Sequence, residues 1–287
     1  MRFFLILLFL LTTAPAQAES LIHNGIRRDF IVEGSGRNTP ALLVLHGGTS
    51  NAKTIRRYAR LSLSQRGWTV IFPNGVDGIW NDGRVGRDGA PLRTTDDVGF
   101  LRALIDKLAL EGRIDRRRVF ATGISNGGAM SQRLICQAPD LIAGAVIFVM
   151  QFPVGLYCPS GPSVPMTFVL GTQDPLVPID GGAIQTRRRD RGAVLSADET
   201  LNFYADRNRC QGVSETTINA ADDGVRVRRL VYEGCAAGFQ TFIMDGGGHV
   251  WPGRRVPRLL KRWLGTAVYD IDGTEIVESF VTTLAER

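Results

Sequence analysis

Val119-Phe120-Ala121-Thr122-Gly123-Ile124-Ser125-Asn126-Gly127-Gly128-Ala129-Met130 is the stretch on which the fold turns. A β-branched and aromatic run feeds Gly-Ile-Ser-Asn-Gly, and a helix-compatible segment follows. That is the G-x-S-x-G pattern in the order strand, sharp turn, helix. Such a turn predicts a strained backbone at Ser125, with the hydroxyl pushed clear of the sheet. It also demands glycine at 123 and 127, where a Cβ would crowd the turned chain. The N–H groups opening the following helix would point at the same spot and favour negative charge there. The motif is short and the chain holds 33 glycines, so its meaning depends on what surrounds it.

The surroundings read as alternating strands and helices. Residues 27–33 alternate like an edge strand, and 41–45 form a short, wholly apolar strand of the kind found in buried sheets. That strand runs into His46-Gly47-Gly48-Thr49. A helix is predicted over 55–65, a strand over 68–72, and a long Gly-rich loop over 74–94 containing Trp80-Asn81-Asp82-Gly83. Loops of that length in a compact domain are usually functional. Asp96 and Asp97 start a helix, where carboxylates suit the dipole. Further strands are expected over 141–149, 165–170, 225–232 and 239–244, with helices over 197–208 and 273–285. Alternation of this kind implies an α/β fold: a mainly parallel sheet covered by helices on both faces. In such sheets the site lies beyond the carboxyl ends of the strands.

Four of those ends carry polar or glycine-rich residues: His46-Gly47-Gly48, Gly123 to Gly127, Asp174 and His249. Acyl transfer needs a nucleophile, a base, an acid to orient the base, and donors for an oxyanion. Ser125, Asp174 and His249 supply the first three in the order Ser…Asp…His. His249 stands out because the chain has three histidines. His23 is near the N-terminus, and His46 precedes the serine and reads as structural. Asp174 directly follows a strand; Asp180 is its nearest rival. The backbone N–H groups of Gly48 and Asn126 are the expected oxyanion donors. Trp80 and Trp251 could stack on an aromatic acid or a sugar, or simply pack their loops.

The two ends of the chain and its composition narrow the setting. Arg2, an apolar run over 3–11 and Ala16-Gln17-Ala18 read as a secretory signal peptide cleaved after Ala18, leaving residues 19–287 as one catalytic domain. The rival, a membrane anchor, would need a longer run. Cys136, Cys158, Cys210 and Cys235 point to disulfides in an exported protein. Three pairings are open; nearness in sequence favours Cys136–Cys158 and Cys210–Cys235. No C-x-x-C or H-x-x-x-H spacing suggests a metal, and no cofactor is expected. The net charge is +6, with arginine runs at 116–118 and 187–189. No nucleic-acid motif or interleaved aromatic accompanies them, so a solvated basic face is expected rather than a nucleic-acid site. No stretch after the leader approaches ~20 apolar residues, so no membrane partner is expected.

Leu45-His46-Gly47-Gly48, Trp80-Asn81, Asp96-Asp97-Val98-Gly99-Phe100, Gly123 to Met130, Gly171-Thr172-Gln173-Asp174 and Gly248-His249-Val250-Trp251-Pro252-Gly253 occur in this order. Together they resemble the secreted polyhydroxybutyrate depolymerase and feruloyl esterase family of α/β-hydrolases, over nearly all of residues 19–287. The resemblance implies the α/β-hydrolase fold without a large lid, Ser125, Asp174 and His249 as the triad, and the same two disulfides. Many members have Cys after His-Gly where this chain has Gly48, but a backbone donor does not need that side chain. The expected partner is an ester, of an oligomeric hydroxyacid or linked to a polysaccharide, met in the periplasm or outside the cell. The alternative is a non-catalytic carbohydrate- or polymer-binding protein on the same scaffold, suggested by the basic surface and the loop tryptophans. A peptidase ranks lower, and the missing lid argues against long-chain fats.

Overall fold

The computed structural model describes residues 17–185, 190–221 and 224–286. The expected leader therefore lies almost wholly outside the described residues, as does the arginine run at 187–189. In chain order the strands are β1 (Gln17–His23), β2 (Ile26–Glu33), β3 (Thr39–Leu45), β4 (Thr69–Pro73), β5 (Ile114–Ile124), β6 (Ala145–Phe148) and β7 (Met166–Gly171). There follow a small hairpin of β8 (Gly182–Ala183) and β9 (Ala193–Val194), then β10 (Gly212–Ile218), β11 (Arg226–Glu233) and β12 (Phe239–Asp245). The helices are α1 (Ala52–Ala59), α2 (Asp97–Leu110), α3 (Asn126–Gln137), α4 (Ala197–Arg207), the single turn α5 (Lys261–Leu264) and α6 (Gly273–Ala285).

Among the described residues, ten strands form one sheet in the order β1-β2-β4-β3-β5-β6-β7-β12-β11-β10. The six central strands, β4 to β12 in that order, are parallel. An antiparallel pair closes each side: β2 and β1 beyond β4, β11 and β10 beyond β12. The expected edge strand at 27–33 is thus one place in from the edge. Asn24 and Gly25, at φ 48 and 75, form the two-residue turn that folds β1 back onto it. The first two residues of β1, Gln17 and Ala18, pair with Val32 and Ile31 and so precede the expected cleavage point.

Side chains alternate across the pleat, and the core splits accordingly. Ala41, Leu43, Leu45 and Ala121 face a cluster with Phe100 and Leu104 of α2, Met130 and Leu134 of α3, and Tyr204 of α4. Leu42, Val44 and Phe120 face the other way, onto Ile55 and Ala59 of α1 and Val277 and Val281 of α6. Helices therefore cover both faces. Their starts are capped by side chains: Asn51 accepts from the Thr54 N–H, Asp96 from Gly99, and Ser196 and Glu199 form a capping box. The helix expected over 55–65 is shorter, because Arg60 at φ 51 stops α1 and a 3-10 turn replaces its second half.

The basic run at 116–118 belongs to β5, which starts earlier than expected. Arg116 pairs with Asp106 at 2.8 Å and Arg118 with Asp115 at 2.9 Å, so this run is a salt-bridged surface face. Disulfides join Cys136 to Cys158 and Cys210 to Cys235. The first ties the end of α3 to the loop after β6; the second ties the loop after α4 to the β11–β12 connection. Among the described residues no helix is long and apolar enough to cross a membrane.

Candidate active site

Four parallel strands converge their carboxyl ends on one cavity. His46-Gly47-Gly48 leaves β3, Ser125 leaves β5, Asp174 follows β7 and His249 follows β12. This is the crevice position of an open α/β sheet.

Ser125 has φ 56 and ψ −124, a conformation that side-chain-bearing residues rarely adopt. It costs on the order of 1–3 kcal/mol and survives only where the surroundings enforce it. Here the Ser125 N–H donates to the Phe148 carbonyl at 2.9 Å, and its carbonyl accepts from the Ala129 N–H at 2.9 Å. The flanking glycines are steric necessities. A Cβ on Gly123 would stand 2.2 Å from the Gly127 carbonyl oxygen, and one on Gly127 would stand 2.1 Å from that of Leu45. The next strand end is strained too: Val149, β-branched, sits at φ 46.

His249 Nδ1 lies 2.7 Å from Asp174 Oδ2. The other carboxylate oxygen of Asp174 accepts the N–H groups of Leu176 and Val177, both at 2.8 Å. An acceptor-only carboxylate assigns the proton to Nδ1 and leaves Nε2 as the basic nitrogen. The glycines before His249 let its loop pass close to two neighbours. A Cβ on Gly248 would meet the Leu264 carbonyl at 2.1 Å, and one on Gly171 would meet that of Gly247 at 2.6 Å. Ser125 and His249 line the same cavity of about 460 Å³. Asp174, its side chain 2% exposed, stands behind the imidazole.

Gly48 and Asn126 line the cavity as well. A Cβ on Gly48 would lie 3.7 Å from that of Asn126, so the two backbones approach each other beside Ser125. Among the described residues, neither backbone N–H forms a hydrogen bond within the protein. Asn126 also opens the twelve-residue α3, whose N-terminus favours an anion. The arrangement supplies a serine hydroxyl, an oriented imidazole and two free donors around one space, which is what acyl transfer requires.

The Asn126 side chain does a second job. Its Oδ1 accepts the Trp80 N–H at 2.7 Å, and its Nδ2 donates to the Trp80 carbonyl at 3.0 Å and to Asp82 Oδ2 at 2.6 Å. Asp82 in turn holds Arg84 through Nε and Nη2, both side chains being buried. A second buried pair fastens the start of this loop. Arg28 donates to Asp97 at 2.5 Å and stacks on Phe100, while Asp97 also accepts the Asn81 N–H at 2.6 Å. Deleting one member of such a pair typically costs about 3–5 kcal/mol. The 74–94 loop is therefore bolted to the serine turn rather than loosely draped over it.

His46 is structural, as expected. Its Nε2 accepts the Gly75 N–H at 3.0 Å and its Nδ1–H donates to the Gly47 carbonyl at 2.8 Å. Both contacts suit the neutral ring, and burial holds its pKa below the ordinary histidine value. The two tryptophans are placed otherwise than a substrate-stacking role requires. Trp80 is 1% exposed, with Nε1 donating to the His46 carbonyl; Trp251 is fully buried and stacks on Phe148 at 4.0 Å. Neither lines the cavity that Ser125 shares with His249. Large apolar rings were drawn into the core beneath the loops. The wall is made instead by Tyr58, Arg84, Met150, Leu176, Ile184 and Arg191. Sequence reasoning missed all six, because single residues scattered over α1 and several loops leave no spacing signal.

No protein-family model matches the chain. NocK of Nocardia uniformis subsp. tsuyamanensis, an esterase by name, is 31% identical over 237 residues, which cover 76% of this chain and 67% of that protein. Feruloyl esterase B of Piromyces equi is 28% identical over 223 residues, covering 73% of this chain and 39% of that longer protein. Among solved structures, the acetyl xylan esterase from Aspergillus awamori matches with a TM-score of 0.57 at 14% identity, over 87% of this chain and 99% of that one. At that identity the likeness speaks for the fold alone.

Proposed function

Given that the chain belongs to the feruloyl esterase and polyhydroxybutyrate depolymerase-like family of α/β-hydrolases, we propose that it is an exported serine carboxylic ester hydrolase working through an acyl-enzyme. Ser125 Oγ attacks the ester carbonyl while His249 Nε2 takes its proton. Asp174 keeps the ring oriented and stabilises the imidazolium. The tetrahedral oxyanion lies between the N–H groups of Gly48 and Asn126. Its collapse expels the alcohol, which leaves with the proton held by His249, and water then releases the acid by the same steps. The proposed substrates are polyhydroxyalkanoate-type esters or aryl and acetyl esters of polysaccharides.

The observation that carries this reading is the 2.7 Å His249–Asp174 pair on a cavity shared with a serine at φ 56. The two disulfides support export, since such bonds persist in oxidising compartments. A purely binding role loses the aromatic part of its motivation once Trp80 and Trp251 are buried. The test is a panel of methyl ferulate, acetylated xylan, hydroxybutyrate oligomers and p-nitrophenyl acetate. Turnover of at least one by the native chain, abolished in Ser125→Ala with the fold intact, is expected. Equal turnover by the variant would remove the proposal.

A further inference from the structure

We propose that His46 is a positioning residue for the ester hydrolysis inferred above: its ring sets the direction of the Gly48 N–H, one of the two proposed oxyanion donors. The inference rests on the hydrolase reading and adds to it the part that aims this donor. A trans peptide unit is planar, and its C=O and N–H point in opposite directions. The Gly47 carbonyl and the Gly48 N–H are therefore the two ends of one rigid plate. Glycine on either side leaves that plate unusually free to turn. His46 Nδ1, 2.8 Å from the Gly47 carbonyl oxygen, supplies the restraint. The Gly48 N–H then faces away from the imidazole, and Gly48 lines the cavity that holds Ser125 and His249.

The bond requires one tautomer, and a second contact selects it. The Gly75 N–H donates to His46 Nε2 at 3.0 Å. That contact needs a lone pair on Nε2, which puts the ring proton on Nδ1, facing the Gly47 carbonyl. Both nitrogens of a fully buried ring are thus committed.

Trp80 secures the ring and connects the two donors. Its ring centroid is 5.0 Å from that of His46, and its Nε1 donates to the His46 carbonyl at 3.0 Å. The Asn126 side chain in turn grips the Trp80 backbone. The Asn126 and Gly48 N–H groups are thereby joined behind the site, from Asn126 through Trp80 and His46 to the Gly47–Gly48 peptide. Oxyanion stabilisation depends on donors fixed before the charge develops. This buried circuit fixes them without touching the substrate.

Two substitutions separate the two ring nitrogens. In His46→Asn the side-chain amide takes the Nδ1 position and can donate to the Gly47 carbonyl, while the Gly75 N–H loses its acceptor. In His46→Gln the amide reaches the Nε2 position and can accept from Gly75, while the Gly47 carbonyl loses its donor. The readouts are steady-state kinetics on p-nitrophenyl acetate, urea midpoints, and inhibition by a trifluoromethyl ketone, which serine converts to a tetrahedral oxyanion. The Gln variant is expected to lose about 10–100-fold in kcat, less than removal of a whole donor, with KM little changed. Its ketone Ki should rise by a similar factor. The Asn variant is expected to recover most of the lost kcat, whatever its urea midpoint. Native kcat in the Gln variant, an Asn variant as slow as the Gln one, or losses that follow the urea midpoints overturn the inference and leave the hydrolase reading standing. Where either variant does not fold, Trp80→Phe decides, since it keeps a ring over the imidazole and removes the N–H given to the His46 carbonyl. A fall in kcat of about threefold or more with unchanged KM is then expected, and native kcat overturns the inference. A folded native chain inert on every ester tested removes the hydrolase reading itself.

Discussion

The Asn126 side chain grips the backbone of Trp80 at both ends, accepting its N–H at 2.7 Å and donating to its carbonyl at 3.0 Å. The residue after the serine is thereby tied to a loop 46 positions away. In the mechanism proposed above, the backbone of Asn126 donates to the oxyanion while its side chain locks the wall beside it. Asn126→Ala should lose about 1–3 kcal/mol of stability through buried groups left without partners. Asn126→Asp, although isosteric, should lose no less, since it turns an oxygen toward Asp82 Oδ2 where an N–H now donates at 2.6 Å. Urea midpoints of the two variants check this. An Asp variant as stable as the native chain would mean that the clamp is not as described.

The two glycine loops should respond to alanine in opposite ways. Gly127→Ala would place a methyl 2.1 Å from the Leu45 carbonyl and 2.6 Å from that of His46, with backbone on both sides. It should fail to fold or lose several kcal/mol through overpacking. Gly48→Ala meets only the Asn126 Cβ, at 3.7 Å. It should fold normally and keep most esterase activity, because its proposed role belongs to the backbone N–H. Soluble yield, circular dichroism and p-nitrophenyl acetate turnover measure the contrast.

Asp174→Asn keeps an oxygen for the Leu176 and Val177 N–H groups but offers His249 Nδ1 an NH2 group or a weaker acceptor. The imidazole then loses its preferred tautomer. By comparison with serine-protease triads, kcat should fall about 10³–10⁴-fold, with KM changing far less. Steady-state kinetics on a short p-nitrophenyl ester decide it. A fall of less than tenfold would count against Asp174 and reopen Asp180.

Stability should depend on pH through His46. Burial disfavours the charged ring, so its folded pKa lies below the ordinary 6.5. Below pH 6.5 the unfolded chain therefore binds a proton that the folded chain refuses. The sign follows: stability is full above the unfolded value and declines as pH falls from 6.5 toward the lower folded pKa. Urea midpoints at pH 7.5 and 5.0 should show this decline, and His46→Gln should flatten it. A His46→Gln variant with the same pH slope would show that the decline belongs to other groups.

Much of this architecture was legible because it follows from local patterning. The apolar run at β3, the serine turn after β5 and the last helix at Gly273–Ala285 stand where hydrophobic period and glycine placement put them. The cysteine pairing was legible from nearness in sequence. The outer strands were harder. In β10 nearly every residue is exposed, so no apolar stripe marks it. The other outer strand, β1, had a readable cue in Asn24-Gly25, a strong two-residue hairpin signal. The roles of Trp80 and Trp251 were not legible, since a tryptophan near a site reads alike whether it faces the cavity or the core. The Asp82–Arg84 and Arg28–Asp97 pairs were hidden for a similar reason. Charged residues in a Gly-rich loop look solvated until tertiary structure buries them together.

The central claim is that Ser125 is an activated nucleophile. It is tested most directly by treating the native chain with a fluorophosphonate and locating the adduct by peptide mass spectrometry. The account predicts stoichiometric labelling at Ser125, lost in Ser125→Ala and strongly slowed in a His249→Ala variant. An unlabelled Ser125 in folded protein, or labelling that persists unchanged in Ser125→Ala, would contradict it.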